Sequence, residues 1–208
     1  MTMKSRSAYL ILGAGVVLVA GWVGMLLWNA ARPPSGIHSD APGLNAHYVL
    51  SDTAGRPLTE RSFPGRLRLV VVGFTSCPDV CPTTLAKFRP ALAALGEDAN
   101  RVQPLFISVD PDRDTPQQLA RYVRAFDPRI IGATGSAQQL QAFLHGYGLY
   151  ASVDSHADKD VAYSVTHSSA ILVIAAGGAL LDVIDHAVPP VDIAVRLRRQ
   201  LQATSVSS

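Results

Sequence analysis

The chain has 208 residues, and its 18 lysines and arginines against 16 aspartates and glutamates leave a formal net charge of only +2. The arginines are scattered among carboxylates, with no long basic stripe and no interleaved aromatic residues, which excludes an extended nucleic-acid-binding surface. The sequence has no internal repeat and no low-complexity segment apart from a short serine-rich C-terminal tail.

The N-terminal segment is almost wholly apolar, with no charged residue between Arg6 and Arg32. Its length matches the hydrocarbon thickness of a membrane, which predicts a transmembrane anchor over residues 8–30. A cleaved signal peptide is the alternative interpretation. The apolar run is long for a signal peptide, however, and residues 27–31 (LWNAA) lack the small-x-small cleavage pattern.

Positive charges beside the anchor predict its orientation. Lys4 and Arg6 precede it and only Arg32 follows closely, so the positive-inside rule keeps residues 1–7 in the cytoplasm. The segment before the anchor is too short for a mitochondrial presequence, which indicates a bacterial inner membrane with the soluble domain in the periplasm. Because that compartment oxidises thiols, a cysteine pair there is held as a disulfide, cycled, or protected by a metal.

The rest of the chain is predicted to form one domain on a tether. Residues 31–45 are rich in Pro, Gly and Ser and predict a flexible connection. Residues 46–203, about 155 in all, are enough for one domain with a hydrophobic core and not obviously for two. Residues 204–208 form a short tail.

Apolar patterns along this domain alternate between strand and helix periodicities. Strands or short extended runs are predicted at 48–50, 68–74, 103–109, 129–132, 168–174 and 180–185, the last two joined by a hairpin turn at 175–178. Helices are predicted at 82–95, at 116–126 with Thr115 as N-cap, from Ser136 onward, and at 191–201. The apolar face of the first helix consists of Leu85, Phe88, Leu92 and Leu95. This order indicates an α/β sandwich with a mixed sheet.

Both cysteines of the chain lie between the strand 68–74 and the helix that follows it. Pro82 suits the first helical position, so Cys81 is expected beside the N-cap and Cys77 on the loop before it. Because a helix N-terminus favours anions, we expect both thiol pKa values to be lowered. The spacing brings the two sulfurs close enough to share a soft metal ion or to form a disulfide.

Two plainer interpretations of the cysteine pair remain open, namely a structural disulfide and two inert buried thiols. A disulfide that closes so short a loop removes little entropy from the unfolded chain. The spacing therefore favours a metal or redox site.

A metal site would need a ligand beyond the two cysteines. His167 is the histidine predicted to stand at the start of a strand, the one over 168–174, although a histidine in such a place is more often a satisfied structural residue. Two thiolates and one imidazole suit Cu(I) or Cu(II), and zinc fits less well because it usually takes four ligands.

Four ordered segments resemble the SCO/SenC family of membrane-tethered copper chaperones: 73–82 (GFTSCPDVCP), 107–115 (ISVDPDRDT), 131–135 (IGATG) and 165–169 (VTHSS). The resemblance implies a thioredoxin-like fold and delivery of copper, as Cu(I) or Cu(II), during maturation of cytochrome c oxidase, typically to the CuA centre of subunit II. It implies copper ligation by Cys77, Cys81 and His167. The implied partners are subunit II or another oxidase copper site and a periplasmic copper donor protein.

The chain departs from the family pattern at Ser76, where members often carry histidine, which puts an auxiliary role of that side chain in doubt. Asp79 and residues 110–114 could tune the site or dock a partner, although capping and turn formation explain them more simply.

The sequence does not decide between a chaperone and an enzyme. A thiol-disulfide oxidoreductase acting on acceptor cysteines, a peroxiredoxin-like peroxidase and a redox sensor would all use the same pair, and Cys77 and Cys81 would then be catalytic. The absence of a CxxC spacing argues modestly against the reductase.

Overall fold

A computed structural model describes residues 44, 46–149, 151–153, 165–167 and 170–206, with the backbone alone described at 151–153, 165–167, 205 and 206. The predicted anchor, residues 8–30, lies outside these described residues, as does the predicted tether except for residue 44. None of the helices within the described ranges is both long enough and apolar enough to cross a membrane.

Nine strands and five α-helices make up the described part of the domain. The strands are β1 (Val49–Asp52), β2 (Pro57–Thr59), β3 (Leu67–Gly73), β4 (Val102–Ser108), β5 (Ile131–Thr134), β6 (Ala151–Val153), β7 (Val165–His167), β8 (Ile171–Ile174) and β9 (Leu180–Ile184). The helices are α1 (Val80–Ala86), α2 (Phe88–Leu95), α3 (Pro116–Phe126), α4 (Ala137–Gly146) and α5 (Pro190–Val206), with a 3-10 helix at Gly96–Arg101.

Seven of these strands form one mixed sheet in the order β2-β1-β5-β4-β3-β8-β9. The central pairs β3–β4 and β4–β5 are parallel, because a helical crossover connects the strands of each pair. The pairs β1–β2, β1–β5, β3–β8 and β8–β9 are antiparallel. The prediction of an α/β sandwich with a mixed sheet is therefore confirmed.

Helices cover both faces of this sheet, and for that reason β3 is buried along its whole length. Leu69 and Val71 point to the face covered by α1, α2, α3 and α5. Val70 and Val72 point to the opposite face, which α4 covers. The alternation follows from the two-residue period of a strand.

The predicted helix over 82–95 is in fact two helices, α1 and α2, that meet at Lys87. Pro90 explains the break, because its ring would collide with the carbonyl of Ala86 and it has no N–H to donate to that carbonyl. The predicted apolar face survives the break, since all four of its members are buried: Leu85, Phe88, Leu92 and Leu95.

Side-chain caps fix the starts of α3 and α4 where the sequence predicts them. The Thr115 hydroxyl accepts a hydrogen bond from the Gln118 N–H, and Pro116 is the first residue of α3. At α4, Ser136 and Gln139 form a reciprocal capping box.

One edge of the sheet collects three chain segments. The parallel strands β3 and β4 both end there, with Gly73 opposite Ser108. The antiparallel strand β8 begins near the same edge, with Ile171 opposite Val71. The loop that carries the cysteines, the loop after β4 and the start of β8 therefore lie at this edge.

The placement of His167 at the start of the strand over 168–174 is wrong. His167 is the last residue of β7, a separate strand that pairs with β6 in a two-stranded sheet, and β8 begins only at Ile171. The alternating pattern of the sequence does not mark the end of β7, because the strand has only three residues.

Candidate metal centre

The two cysteines lie together where β3 leaves the sheet. Cys77 is half-buried on the loop and packs against the hydrophobic clusters on both faces of the sheet. Cys81, the second residue of α1, is completely buried. Both are reduced, and their side chains are in hydrogen-bonding contact. The prediction that the spacing brings the two sulfurs together is confirmed.

Gly73, which has no Cβ atom, leaves the space that the Cys81 side chain occupies. A Cβ atom on Gly73 would collide with Cys81 Sγ and would lie 3.1 Å from Cε2 of Phe106. The last residue of β3 therefore has to be glycine for the thiol to pack against the strand. Sequence reasoning missed this role, because it depends on how closely the helix after β3 packs back on the end of that strand.

The predicted lowering of the thiol pKa is wrong for Cys81. The helix begins earlier than predicted, at Val80 with Asp79 as N-cap, and Cys81 falls in the first turn as expected near a helix end. Burial nevertheless dominates and raises the pKa of Cys81 to about 12. A backbone hydrogen bond from Phe74 lowers it, while the Cys77 thiol and the more distant Asp114 carboxylate raise it.

This raised pKa has a chemical consequence. At neutral pH the metal-free protein keeps the Cys81 proton, so Cys81 is a poor nucleophile in that state. A soft metal ion that binds the sulfur has to displace the proton.

A buried carboxylate holds the cysteine loop against the loop after β4. Asp114 is 1% exposed. It accepts hydrogen bonds from the Thr75 N–H at 2.9 Å, from the Thr75 hydroxyl at 2.6 Å and from the Ser108 hydroxyl at 2.6 Å. Gln118 of α3 adds a bond from its side-chain amide to the Thr75 hydroxyl, at 2.8 Å. Thr75 is thus fixed two residues before Cys77.

The other acidic residues near the cysteines have separate roles. Asp110 is buried and accepts a hydrogen bond from Arg113 Nε at 2.5 Å. The Arg113 guanidinium lies 6.0 Å from the centre of the Phe74 ring. Asp79 is the N-cap of α1, but its side chain makes no capping hydrogen bond. The sequence indicated residues 110–114 as an acidic group without singling out Asp114. The signal that could have paired Asp114 with the cysteine loop is that the two loops follow parallel strands, whose ends can lie side by side.

The structure does not describe the side chain of His167. Its backbone pairs with Ala151. Three residues lie between it and Ile171, so the two Cα atoms, four steps apart along the chain, are at most about 14 Å apart even in a fully extended chain. Ile171 is in register with Val71, two residues before Gly73. The chain connection thus limits how far the His167 backbone can lie from the edge of the sheet that carries the cysteines.

The other histidines are dispersed. His47 pairs with Glu60, His186 pairs with Asp185, and His145 is exposed on α4, while His38 and His156 lie outside the described residues. Within the described part of the chain, no group of three or more His, Cys, Asp and Glu side chains is arranged to hold a metal ion.

The model of the SCO1/SenC family matches residues 38–202 of the chain. The chain belongs to this family. One relative, the mitochondrial "Protein SCO2 homolog" of Danio rerio, is 37% identical over 157 residues, which cover 74% of this chain and 56% of the relative. The chain thus matches little more than half the length of that relative.

Solved structures of the family share the fold. Bradyrhizobium japonicum ScoI, solved with copper bound, is 33% identical, with a TM-score of 0.67 over 76% of this chain and 99% of that one. BsSco, described as a member of the Sco family of cytochrome c oxidase assembly proteins with a disulfide switch, is 20% identical, with a TM-score of 0.56 over 76% and 95%. The latter likeness is one of fold alone. The thioredoxin-like fold that the resemblance implied is confirmed.

Proposed function

We propose that this SCO1/SenC protein is a copper chaperone that holds one copper ion with Cys77, Cys81 and His167 and delivers it to cytochrome c oxidase. The observation that carries the proposal is the contact between the two reduced cysteines at the sheet edge where β8 begins. The copper-bound structure of ScoI, at 33% identity, supports copper as the ion.

The chemistry of the donor set fits copper. Thiolate sulfur is a soft ligand and imidazole suits copper in either oxidation state. Two thiolates and a neutral imidazole leave one net negative charge around Cu(I) and none around Cu(II). A low-coordinate ion can also accept an incoming ligand before its first ligands leave.

Release then follows as stepwise ligand exchange. Cys77 is the more exposed of the two cysteines, so it is the one that an acceptor thiolate reaches first. Proton return to Cys81 favours release, because the buried sulfur holds its proton tightly once the metal has gone. We propose the CuA site of subunit II as the acceptor and a periplasmic copper donor as the source.

The proposed location is the bacterial inner membrane. In this arrangement residues 8–30 span the membrane, 31–45 form the tether, and 46–203 fold as the copper-binding domain in the periplasm. Confining the chaperone and the oxidase to one membrane raises their effective concentration for each other.

A copper titration of the reduced full-length chain in detergent tests the proposal. We expect one Cu(I) per chain, with weaker binding and an altered Cu(II) spectrum in His167→Ala. His145→Ala is the matched control, because His145 is exposed on α4, remote in the fold from the cysteine loop. Unchanged affinity and spectrum in His167→Ala would overturn the ligand set, and an absence of copper binding would overturn the function.

The second candidate is a thiol-disulfide reductase for the acceptor's cysteines. The contact between two reduced cysteines favours it, since they can close a disulfide as they reduce another. Cys77 would be the attacking thiol, because the raised pKa of Cys81 leaves almost no thiolate there. An acceptor peptide offered as a disulfide separates the two functions: the reductase reduces it without copper, whereas the chaperone loads only the dithiol form. Peroxide turnover with a thiol reductant would instead identify a peroxidase.

A further inference from the structure

The folded domain separates its charges between two opposite edges of the main sheet. Carboxylates collect at the edge that carries the cysteines, because β3, β4 and β9 all end there and aspartates follow each of them. Arg113, which pairs with Asp110, is the only lysine or arginine in the segments 74–79, 109–115 and 185–192. The carboxylates of these segments are Asp79, Asp110, Asp112, Asp114, Asp185 and Asp192.

Arginines dominate the opposite edge, where β3, β4 and β5 begin. Arg66, Arg101 and Arg129 each stand one or two residues before one of these parallel strands. The ends of α3 and α5 reach the same place, since Arg89 donates to the Phe126 carbonyl and Arg101 to the Leu201 carbonyl. We call this the arginine edge; it consists of Arg66, Arg89, Arg101, Arg124, Arg129, Arg198 and Arg199, and its carboxylates are Glu97, Asp98 and Asp127.

The positive charge of this edge is only partly neutralised. Asp98 pairs with Arg101 at 3.4 Å, and Asp127 pairs with Arg129 at 2.7 Å. By contrast, three exposed arginines have no carboxylate partner within the described part of the chain: Arg66, Arg124 and Arg199. A helix C-terminus favours the charge of Arg124, but Arg66 belongs to no helix and bonds to the neutral side chain of Gln103.

The chain enters the domain at the arginine edge. The carbonyl of Leu44, near the end of the predicted tether, accepts a hydrogen bond at 2.9 Å from the N–H of Leu180, where β9 begins. Leu180 is in register with Ile174, and Ile174 is in register with Arg68, the second residue of β3. The proposed tether therefore joins the domain at the end of the sheet that is opposite to the cysteines.

We propose that the arginine edge docks on an anionic membrane surface by binding the phosphodiester groups of lipid headgroups. Guanidinium groups bind phosphate oxygens in a bidentate geometry. An anionic lipid surface attracts each nearby arginine by about fivefold in binding constant and repels the carboxylates of the other edge. Both edges thus favour one orientation. The inference rests on the membrane location in the proposed function.

This orientation has a consequence for access to the cysteines. The seven residues of β3 separate the two edges by about 20 Å. A domain docked by its arginines holds Cys77 on the side that faces away from the lipid, where an acceptor that projects from the membrane can reach it.

The metal-free full-length chain in lipid nanodiscs tests the inference. An uncharged gadolinium chelate on a lipid headgroup broadens the NMR signals of amides that lie near the lipid. In discs that contain phosphatidylglycerol we expect strong broadening at Gly65 and Gly177, which lie at the arginine edge, and little at Asp112 and Ala187, beside the cysteines. In discs of phosphatidylcholine alone, both pairs should broaden weakly and alike. Equal broadening of both pairs on phosphatidylglycerol would overturn the inference.

Replacing the arginines that have no carboxylate partner tests which charges act. The combined variant Arg66→Gln, Arg124→Gln, Arg199→Gln should lower the ratio of docked to undocked domain by about a hundredfold, at about fivefold for each charge. Its unfolding and its Cu(I) affinity should match the wild type, because the three side chains are exposed. A combined variant that docks like the wild type would overturn the inference.

Asp112→Asn is the control, because it makes the net charge more positive at the cysteine edge. Attraction by net charge alone would strengthen docking in this variant, whereas docking by the arginine edge should leave it unchanged. Salt is a second control: docking should weaken steeply between about 0.05 M and about 0.5 M ionic strength, as the Debye length shortens.

The outcomes separate this inference from the copper function. A chain that docks but binds no copper would support the inference and overturn the copper function, and a chain that binds copper but stays undocked on phosphatidylglycerol would do the reverse. Failure of the chain to enter the discs would overturn the membrane location and the inference together. If a polyglutamate peptide shifts the Gly65 and Gly177 signals and phosphatidylglycerol does not, the arginine edge binds an acidic protein and the proposed lipid surface is wrong.

Discussion

Removal of the Asp114 carboxylate should loosen the cysteine loop more than any other single change outside the cysteines. In Asp114→Ala three donors lose their acceptor: the Thr75 N–H, the Thr75 hydroxyl and the Ser108 hydroxyl. The site is 1% exposed, so bulk water does not replace the carboxylate freely.

The size of the effect follows from how well each donor can adjust. The two hydroxyls can rotate toward other acceptors, whereas the Thr75 N–H is fixed by the backbone and has no second acceptor within the described part of the chain. A hydrogen bond to a charged group contributes about 1.5–3 kcal/mol, and an abandoned buried donor costs about 1–3 kcal/mol. Because the rotating hydroxyls recover part of this, we expect a loss of about 3–4 kcal/mol from a total stability of about 5–15 kcal/mol.

Urea denaturation of the metal-free chain, followed by far-ultraviolet circular dichroism, measures this loss. Asp112→Ala is the matched control: it removes an exposed carboxylate from the same loop and should change stability by no more than about 0.5 kcal/mol. Asp114→Asn should fall between the two, because the amide keeps one acceptor oxygen. A loss below about 1 kcal/mol in Asp114→Ala would refute the view that this carboxylate holds the loop.

Three further changes test other parts of the site and fold. Gly73→Ala should cost about 1–3 kcal/mol and weaken Cu(I) binding, because its Cβ displaces the Cys81 sulfur; Gly177→Ala, with nothing within 4 Å of its Cβ, should do neither in the same denaturation and titration. The raised pKa of Cys81 means that the folded metal-free chain holds this proton more tightly than the unfolded chain. The Cys81 proton therefore contributes its full stabilisation below about pH 9, and this contribution should be lost between about pH 9 and about pH 12. In denaturation series against pH, the free energy of unfolding should fall in this range by about 1.4 kcal/mol per pH unit, a slope that Cys81→Ser should lack. Ser136→Ala should cost about 1 kcal/mol in urea denaturation through loss of the capping box, and an unchanged free energy of unfolding would contradict a role of this cap in holding the start of α4.

Local patterns were enough to predict the elements that carry the site. The strand before the cysteines and the caps at Thr115 and Ser136 depend on neighbours within a few residues, which the sequence displays directly. The break at Lys87 was also readable, because Pro90 stands four residues after Ala86. The apolar periodicity does not reveal this break, because both helices keep the same buried face.

The features of the site that the sequence did not predict depend on tertiary packing. The helix end suggested a thiolate at Cys81, but Phe106 and Gly73 bury the sulfur so deeply that desolvation outweighs the helix. The role of Asp114 in holding the cysteine loop likewise depends on β3 and β4 lying side by side, because Thr75 and Asp114 are 39 positions apart in the sequence. No window of local sequence contains such a contact.

Because β8 runs antiparallel to β3, a residue far along the chain can lie close to the two cysteines that follow β3. A further parallel strand beside β3 would begin at the edge of the sheet opposite to the cysteines. Because β8 runs the other way, its first residue, Ile171, lies near the end of β3 and so near the cysteine edge. The chain can therefore bring His167 toward Cys77 and Cys81 without a long connection of its own. The direction of β8 beside β3, rather than sequence spacing, is therefore what supports the three-ligand site that we propose.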